Sequence, residues 1–202
     1  MILFVMVAFL ILALPMPATS LNATFVGDSI TQGNDWENSF TNLTVSNQGV
    51  SGDTTAGVDA RIGNIAATHP DYIFLMVGIN DLIHQYRSVA AMNGYMDSIL
   101  HTACTDSDGA NVVVFSILPA YGAYVGNNDA AISANSHTEY ECGKYSNCRY
   151  VDLRYLYNNT DGYQADGLHL THAGYYAWEE QVFEIINSDT GGGGSWTGDY
   201  FL

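Results

Sequence analysis

A chain of 202 residues is long enough for one domain with a sizeable core, and with 48% apolar and only 13% charged residues it excludes wholesale disorder. Its 21 acidic residues face five basic ones, a formal net charge of −16. A surface this negative repels phosphate backbones and anionic headgroups, which argues against nucleic-acid binding and electrostatic membrane docking and favours neutral or cationic ligands.

In chain order, the first feature is the apolar run Met1 to Leu14, followed by Pro15, Pro17 and the small residues Ala18, Thr19 and Ser20. This has the pattern of a secretory signal over 1–20, cleaved near Ser20 or Leu21, although a basic n-region is lacking. The run is shorter than the about 20 residues of a membrane span, and an uncleaved anchor is the alternative. Export is the working expectation, with no stable membrane association after cleavage.

The segment Leu21–Val26 predicts a strand that runs directly into Gly27-Asp28-Ser29. A weak helical stretch over Trp36–Leu43 and a second strand, Thr44–Asn47, lead to Gly49-Val50-Ser51-Gly52-Asp53-Thr54, and helical spacing follows over Thr55–Ala67. The continuous apolar run Tyr72–Val77 suits a strand covered on both faces and ends at Gly78-Ile79-Asn80-Asp81. A helix over Val89–Cys104 leads through the turn Asp106–Gly109 to a strand over Val112–Leu118. Residues 120–140 predict a long loop and then a helix, and Tyr150–Leu153 a last strand. Tyr175, Trp178, Val182, Phe183 and Ile186 mark a C-terminal helix.

Strands alternating with helices indicate a parallel sheet covered on both faces, forming one domain over 21–187, with a Gly-rich tail over 188–202. Of three cysteines, Cys142 and Cys148 are close enough for a local disulfide in an oxidising compartment, leaving Cys104 as a thiol; a pairing of Cys104 with either of them stays open. No second pair of ligands at zinc spacing accompanies them. Asn42 and Asn158 lie in glycosylation sequons, as does Asn22 inside the first expected strand.

The polar clusters sit where chemistry is done in such folds. Ser29, Gly52 and Asn80 each follow a different expected strand, and open parallel sheets bind ligands outside the carboxyl ends of their strands. Asp166-Gly167-Leu168-His169 should reach the same edge. A neutral imidazole takes a serine proton only if its other nitrogen is held by an acceptor, and an Asp one helical turn before His169 can hold it. Trp36, Tyr86, Tyr121 and Tyr124 are either pocket walls or ordinary packing, with packing favoured.

Those four blocks, Gly27-Asp28-Ser29-Ile30-Thr31, Gly49-Val50-Ser51-Gly52-Asp53-Thr54, Gly78-Ile79-Asn80-Asp81 and Asp166-Gly167-Leu168-His169, resemble in content and order the signature blocks of the SGNH (GDSL) hydrolases. Ser51 to Arg61 and Phe74 to Leu82 resemble the branch of platelet-activating-factor acetylhydrolase catalytic subunits and bacterial acyl or acetyl esterases. The resemblance implies a flavodoxin-like three-layer α/β/α sandwich around a parallel sheet of about five strands. It further implies Ser29 as nucleophile, His169 as general base, and Asp166 as the residue that orients it. The oxyanion hole would comprise the Ser29 and Gly52 N–H groups and the Asn80 amide. No metal or cofactor is implied, and Asp28 and Asp81 are expected to brace loops. The substrate would be a small-molecule ester of a sugar or lipid, with short acyl chains or acetyl preferred. Within the fold a lysophospholipase or thioesterase, acyl transfer to a sugar, or a catalytically silent carbohydrate-binding protein are the alternatives. Chain length, leaving group and oligomeric state are not legible.

Overall fold

The computed structural model describes residues 20–191. Five strands, β1 (Asn22–Gly27), β2 (Thr44–Gly49), β3 (Tyr72–Met76), β4 (Asn111–Phe115) and β5 (Cys148–Val151), form one sheet in the order β2-β1-β3-β4-β5. All four pairings are parallel, with Phe25 opposite Phe74 and Phe74 opposite Val113. Around it lie α1 (Ser29–Gln32), α2 (Trp36–Ser39), α3 (Thr55–Ala66), α4 (Ile79–Ile83), α5 (Val89–Thr105), α6 (Asn128–Cys142) and α7 (His172–Thr190), with a 3₁₀ segment over Gly122–Asn127.

Because strand side chains alternate between faces, the sheet divides the core in two. Phe25, Phe74 and Phe115 point to the side covered by α2 and α7, where Phe25 stacks on Trp36 at 4.0 Å and on Phe74 at 4.9 Å. Trp178 of α7 meets both Trp36 and Phe115 edge-on. Val26, Ile73, Leu75, Val112 and Val114 face the opposite side, against Val58 and Ile62 of α3 and Met96, Ile99 and Leu100 of α5. Helices α3, α5 and α7 begin where a hydroxyl accepts an otherwise unpaired N–H: Thr54 from Gly57, Ser88 from Ala91, Thr171 from Gly174.

The expected boundaries shift at several places for identifiable reasons. The helix expected over Trp36–Leu43 stops at Ser39, where Phe40 leaves helical dihedrals and joins the aromatic stack on Phe25. The strand expected to reach Leu118 stops at Phe115, because the buried Asn135 side chain of α6 takes both the N–H and the carbonyl of Ile117 at 2.8 and 2.9 Å. The last strand starts earlier, at Cys148, which pairs with Val112. Residues 188–190, expected in the tail, belong to the last helix. Helix α7 continues through Thr190, held by Asp189, which accepts from the Tyr72 hydroxyl at 3.2 Å and from Arg149 at 2.7 Å, and closes at Gly191 in a left-handed conformation. Of the expected leader only Ser20 is described, and of the tail only residues 188–191. No helix among the described residues is long and apolar enough to cross a membrane.

Cys142 and Cys148 are joined by a disulfide between the end of α6 and the start of β5, and Cys104 is a buried free thiol. Asn42, Asn158 and also Asn22 are exposed. Asp106–Gly109 is a plain turn, with Asp108 and Gly109 at positive φ. Trp36 is 0% exposed and bonds the Thr31 carbonyl through its indole N–H, so it is core and not pocket wall. Replacing it should therefore create a cavity in the middle of the aromatic stack: Trp36→Ala is expected to cost about 3–5 kcal/mol, read as a lowered urea midpoint at unchanged slope.

Candidate active site

Strand β1 ends at Gly27, and the chain turns at once into α1. Asp28 is the N-cap, accepting the Ile30 N–H at 2.9 Å, and is only 1% exposed. Ser29 is the first residue of the helix, so its own N–H is one of those a helix leaves without an intrahelical partner. Ser29 is half-buried, and its Oγ lies 2.9 Å from His169 Nε2, across 140 residues of sequence.

The Asp166–His169 segment is not a helical turn, as its spacing suggested. It is the tip of a loop closed by an antiparallel bridge between Tyr163 and Leu170 and by the Gln164 N–H donating to the His169 carbonyl at 2.8 Å. Asp166 folds back on the loop: Oδ1 accepts the N–H groups of Leu168 and His169, each at 3.0 Å, while Oδ2 lies 2.6 Å from His169 Nδ1. That contact selects the tautomer with the proton on Nδ1, leaving Nε2 to accept from Ser29. Gly167 sits at φ +71°, and a Cβ there would come within 2.8 Å of the Tyr121 backbone, whose N–H bonds the Gly167 carbonyl. The loop after β4 thus holds the histidine loop in place, and only glycine fits at the contact. The cap of α7 is Thr171.

Gly52, after β2, has φ +76°, and Asn80 follows β3 in α4. The Asn80 amide donates to the Asp53 carbonyl at 2.9 Å, bringing the two loops into contact. Two further ties hold them. Arg61 of α3 donates through Nε to Asp53 Oδ2 at 3.0 Å and through Nη2 to the Gly27 carbonyl at 3.1 Å. The fully buried Asp81 accepts the Thr55 N–H and hydroxyl, both at 2.8 Å, and pairs with Arg87. Asp28 and Asp81 act as the expected loop braces; Arg61 and Thr55 were not singled out from sequence, and Tyr121 was read there only as pocket wall or packing. Arg61 had a signal there, being one of only five basic residues and two helical turns beyond Asp53.

Burial would raise the Asp166 carboxyl, but the bonds from the His169 ring and the two N–H groups outweigh it and hold the group below the usual carboxylate range. Asp28 behaves oppositely: burial pushes it up to about 7, against the Ile30 N–H and the nearby His169, with Asp53 and Asp81 adding to the rise. Flanking residues of the site line a small, mostly apolar crevice of about 10 Å³: Asp28 and Ile30 beside Ser29, Ile79 beside Asn80, and Leu168 beside His169, with Ile117 and Leu118 opposite. Tyr121 and Tyr124 pack against the core cluster, Tyr121 donating to the Tyr157 carbonyl, whereas Tyr86 is 84% exposed.

Among the described residues one group of potential metal ligands converges, Asp97, His137 and Glu141 on α5 and α6, with ligand atoms within 4.8 Å of one another. Its charges are answered internally, His137 bonding Asp97 and Lys144 pairing with Glu141, and it shares no residue with the loops around Ser29.

A model of the GDSL-like lipase/acylhydrolase family matches residues 25–177, a span that runs from β1 into α7 and includes all four loops. The chain belongs to that family. As a GDSL-type hydrolase it acts on ester bonds, and small-molecule esters are its substrates. No curated protein sequence matches it. Among solved structures it is similar to a Streptococcus pneumonia protein described as a candidate platelet activating factor, at 24% identity and TM-score 0.72, covering 85% of this chain and 86% of that one. It is also similar to a lipase/acylhydrolase from Enterococcus faecalis, at 19% identity and TM-score 0.71 over 84% and 96% of the two chains. A carbohydrate esterase of family 3 from Talaromyces cellulolyticus aligns at 16% identity and TM-score 0.69 over 83% and 97%. These likenesses establish the shared α/β fold around the GDSL loops.

The raised Asp28 carboxyl has a consequence for stability. The folded chain binds this proton more tightly than the unfolded chain, so the stability contributed by the neutral form is present below the ordinary Asp pKa and is lost as pH rises toward about 7. Asn keeps the cap and cannot ionise. Thermal melts of Asp28→Asn and wild type are expected to diverge from pH 4 to pH 8, the variant gaining relative stability with rising pH; a pH-independent difference would contradict a buried, titrating Asp28.

Proposed function

We propose that this GDSL-type hydrolase is a secreted serine esterase that cleaves short-chain acyl or acetyl esters of sugars or small lipids through Ser29, His169 and Asp166. The observation that carries the reading is the continuous pair of contacts from Ser29 Oγ to His169 Nε2 and from His169 Nδ1 to Asp166 Oδ2, at 2.9 and 2.6 Å.

Ser29 Oγ attacks the ester carbonyl carbon as its proton passes to His169 Nε2. The resulting imidazolium is stabilised by the ionised Asp166. Negative charge developing on the carbonyl oxygen is met by the Ser29 N–H, the Gly52 N–H and the Asn80 amide, fixed donors that need no reorganisation. The bond to the alcohol oxygen then breaks and the alcohol leaves with the proton from His169. Water, losing a proton to the same imidazole, attacks the acyl-Ser29 carbonyl and releases the acid and the serine.

The preference for a short acyl group is supported by the small crevice lined by the chain neighbours of Ser29, Asn80 and His169. Its volume of about 10 Å³ takes a group about the size of a single water, and its walls include the branched side chains of Ile30, Ile79, Ile117, Leu118 and Leu168. Export is supported by the apolar Met1 to Leu14 run and by the Cys142–Cys148 disulfide, which persists in an oxidising compartment.

The test is hydrolysis of p-nitrophenyl esters from acetate to palmitate. Wild type is expected to lose activity steeply with chain length, Ser29→Ala to fall by at least ~10³-fold, and Asn80→Ala to lose ~10²–10³-fold in kcat with KM little changed. Ile117→Ala should move the optimum toward butyrate and hexanoate. Undiminished activity in Ser29→Ala would remove the nucleophile assignment, and a wild-type optimum at palmitate would remove the short-chain one.

A further inference from the structure

Gly52 is the third residue of a tight turn, Val50–Asp53, closed by the Asp53 N–H donating to the Val50 carbonyl at 3.0 Å. The direction of the Gly52 N–H therefore depends on how the two ends of that turn are held. At the start, the Val50 N–H donates to the Gly27 carbonyl at 3.0 Å. At the end, the Asp53 carboxylate is held by Arg61 of α3, whose Nε and Nη2 lie 3.0 and 2.9 Å from Oδ2. The same Nη2 donates to the Gly27 carbonyl at 3.1 Å, so one guanidinium ties both ends of the turn.

All three donors of the oxyanion hole sit on this frame. Ser29 is two residues beyond Gly27, Gly52 immediately precedes Asp53, and Asn80 is joined to it through the Asp53 carbonyl at 2.9 Å. An amide nitrogen carries two N–H groups, so the one bonded to Asp53 fixes the direction of the other. Helix α3 is shaped to admit the contact: a Cβ at Gly57 would lie 1.7 Å from Asp53 Oδ1, and glycine there leaves room for the carboxylate to fold back toward Arg61. Charge matters as well as position. Asp53 acts electrostatically on Asp28, the neighbour of Ser29, and the Arg61 and Asp53 side chains are only 22% and 12% exposed, so solvent screens them little. Without Arg61 an uncompensated carboxylate would stand beside the position where negative charge develops.

We propose that Arg61 is the positioning residue of the oxyanion hole: it aims the Gly52 N–H and the Asn80 amide and offsets the charge of Asp53, without touching the substrate. Arg61 is absent from the lining of the crevice, in keeping with a role exerted through its neighbours. This role presupposes the serine mechanism proposed above. Because the hole is used when charge develops on the carbonyl oxygen, losing Arg61 falls on kcat and leaves KM nearly alone. Lysine keeps the charge but, as a point donor on a flexible stem, does not reproduce the fork that spans Gly27 and Asp53.

Steady-state kinetics with p-nitrophenyl acetate test it, with thermal melts showing which variants are folded at the assay temperature. Arg61→Gln is expected to lose ~10²-fold in kcat with KM changed by less than about threefold, and Arg61→Lys to lose ~10-fold. Arg149→Gln, which removes an arginine paired with Asp189, should match wild type in both constants. The deciding readout is coupling: on an Asn80→Ala background, Arg61→Gln should lower kcat by a factor at least about fivefold smaller than in wild type, because part of what it acts through is already gone. If Arg61→Gln is unfolded in the assay, the same cycle with Arg61→Lys decides, the two losses again falling short of their product. An unchanged kcat in the folded variant, a change confined to KM, or losses that multiply in full would overturn the proposal. Ser29→Ala separates it from the mechanism beneath: activity retained there removes the serine mechanism and this role with it, whereas an inactive Ser29→Ala beside an undiminished Arg61→Gln removes the role of Arg61 alone.

Discussion

The arrangement around Ser29 depends on one constraint: loops from different strands must be fixed against one another although no strand pairing reaches beyond the sheet edge. Arg61 answers it for the first two. Its guanidinium bonds the Gly27 carbonyl at the end of β1 and the Asp53 carboxylate after β2, and the planar fork allows both at once. Asp53 in turn offers its carbonyl to Asn80 after β3, and Asp81 closes the circuit by taking both Thr55 donors. Each loop is therefore held by polar contacts to the next, while the apolar layers beneath set only the height at which the strands end.

The fourth loop is held differently. Asp166 and His169 brace each other within a short closed segment, and the outside support is a backbone contact between Tyr121 and Gly167. Because Asp166 spends one oxygen on two backbone N–H groups and the other on the ring, it fixes both where the imidazole is and which nitrogen faces Ser29. The sheet order places β1 between β2 and β3, so the chain leaves β1 in one direction and β3 in the other, which opens the crevice at that point.

Much of this was legible before any coordinates. The central strands announced themselves because parallel strands buried on both faces read as continuous apolar runs, as in Tyr72–Met76 and Val112–Phe115. Three of the four polar blocks stood at strand ends, and the structure brings Ser29, His169 and Asp166 into contact and Asn80 against the Gly52 loop. What escaped is what long-range contacts decide. The four-residue helix at Ser29 is too short for a periodic pattern. Nothing local to Ile117 says that Asn135 will take its backbone and end the strand. Asp166 and His169, three residues apart, have helical spacing but sit in a loop, because closure between Tyr163 and Leu170 overrides the local period. Residues 188–190 look like the beginning of a glycine-rich tail, yet Asp189 is claimed by Tyr72 and Arg149.

The span of 140 residues between Ser29 and His169 also sets when the site comes into being. A chain made from its N-terminus can pair β1, β2, β3 and β4 and assemble the Gly52 and Asn80 loops while the histidine is still unmade. The histidine loop is anchored on one side by α7, whose Trp178 must dock against Trp36 and Phe115 from near the very end of the described chain. On the proposed mechanism ester cleavage is thus a late property of the molecule: a nascent chain that ends before residue 169 carries Ser29 without the imidazole it meets in the folded chain.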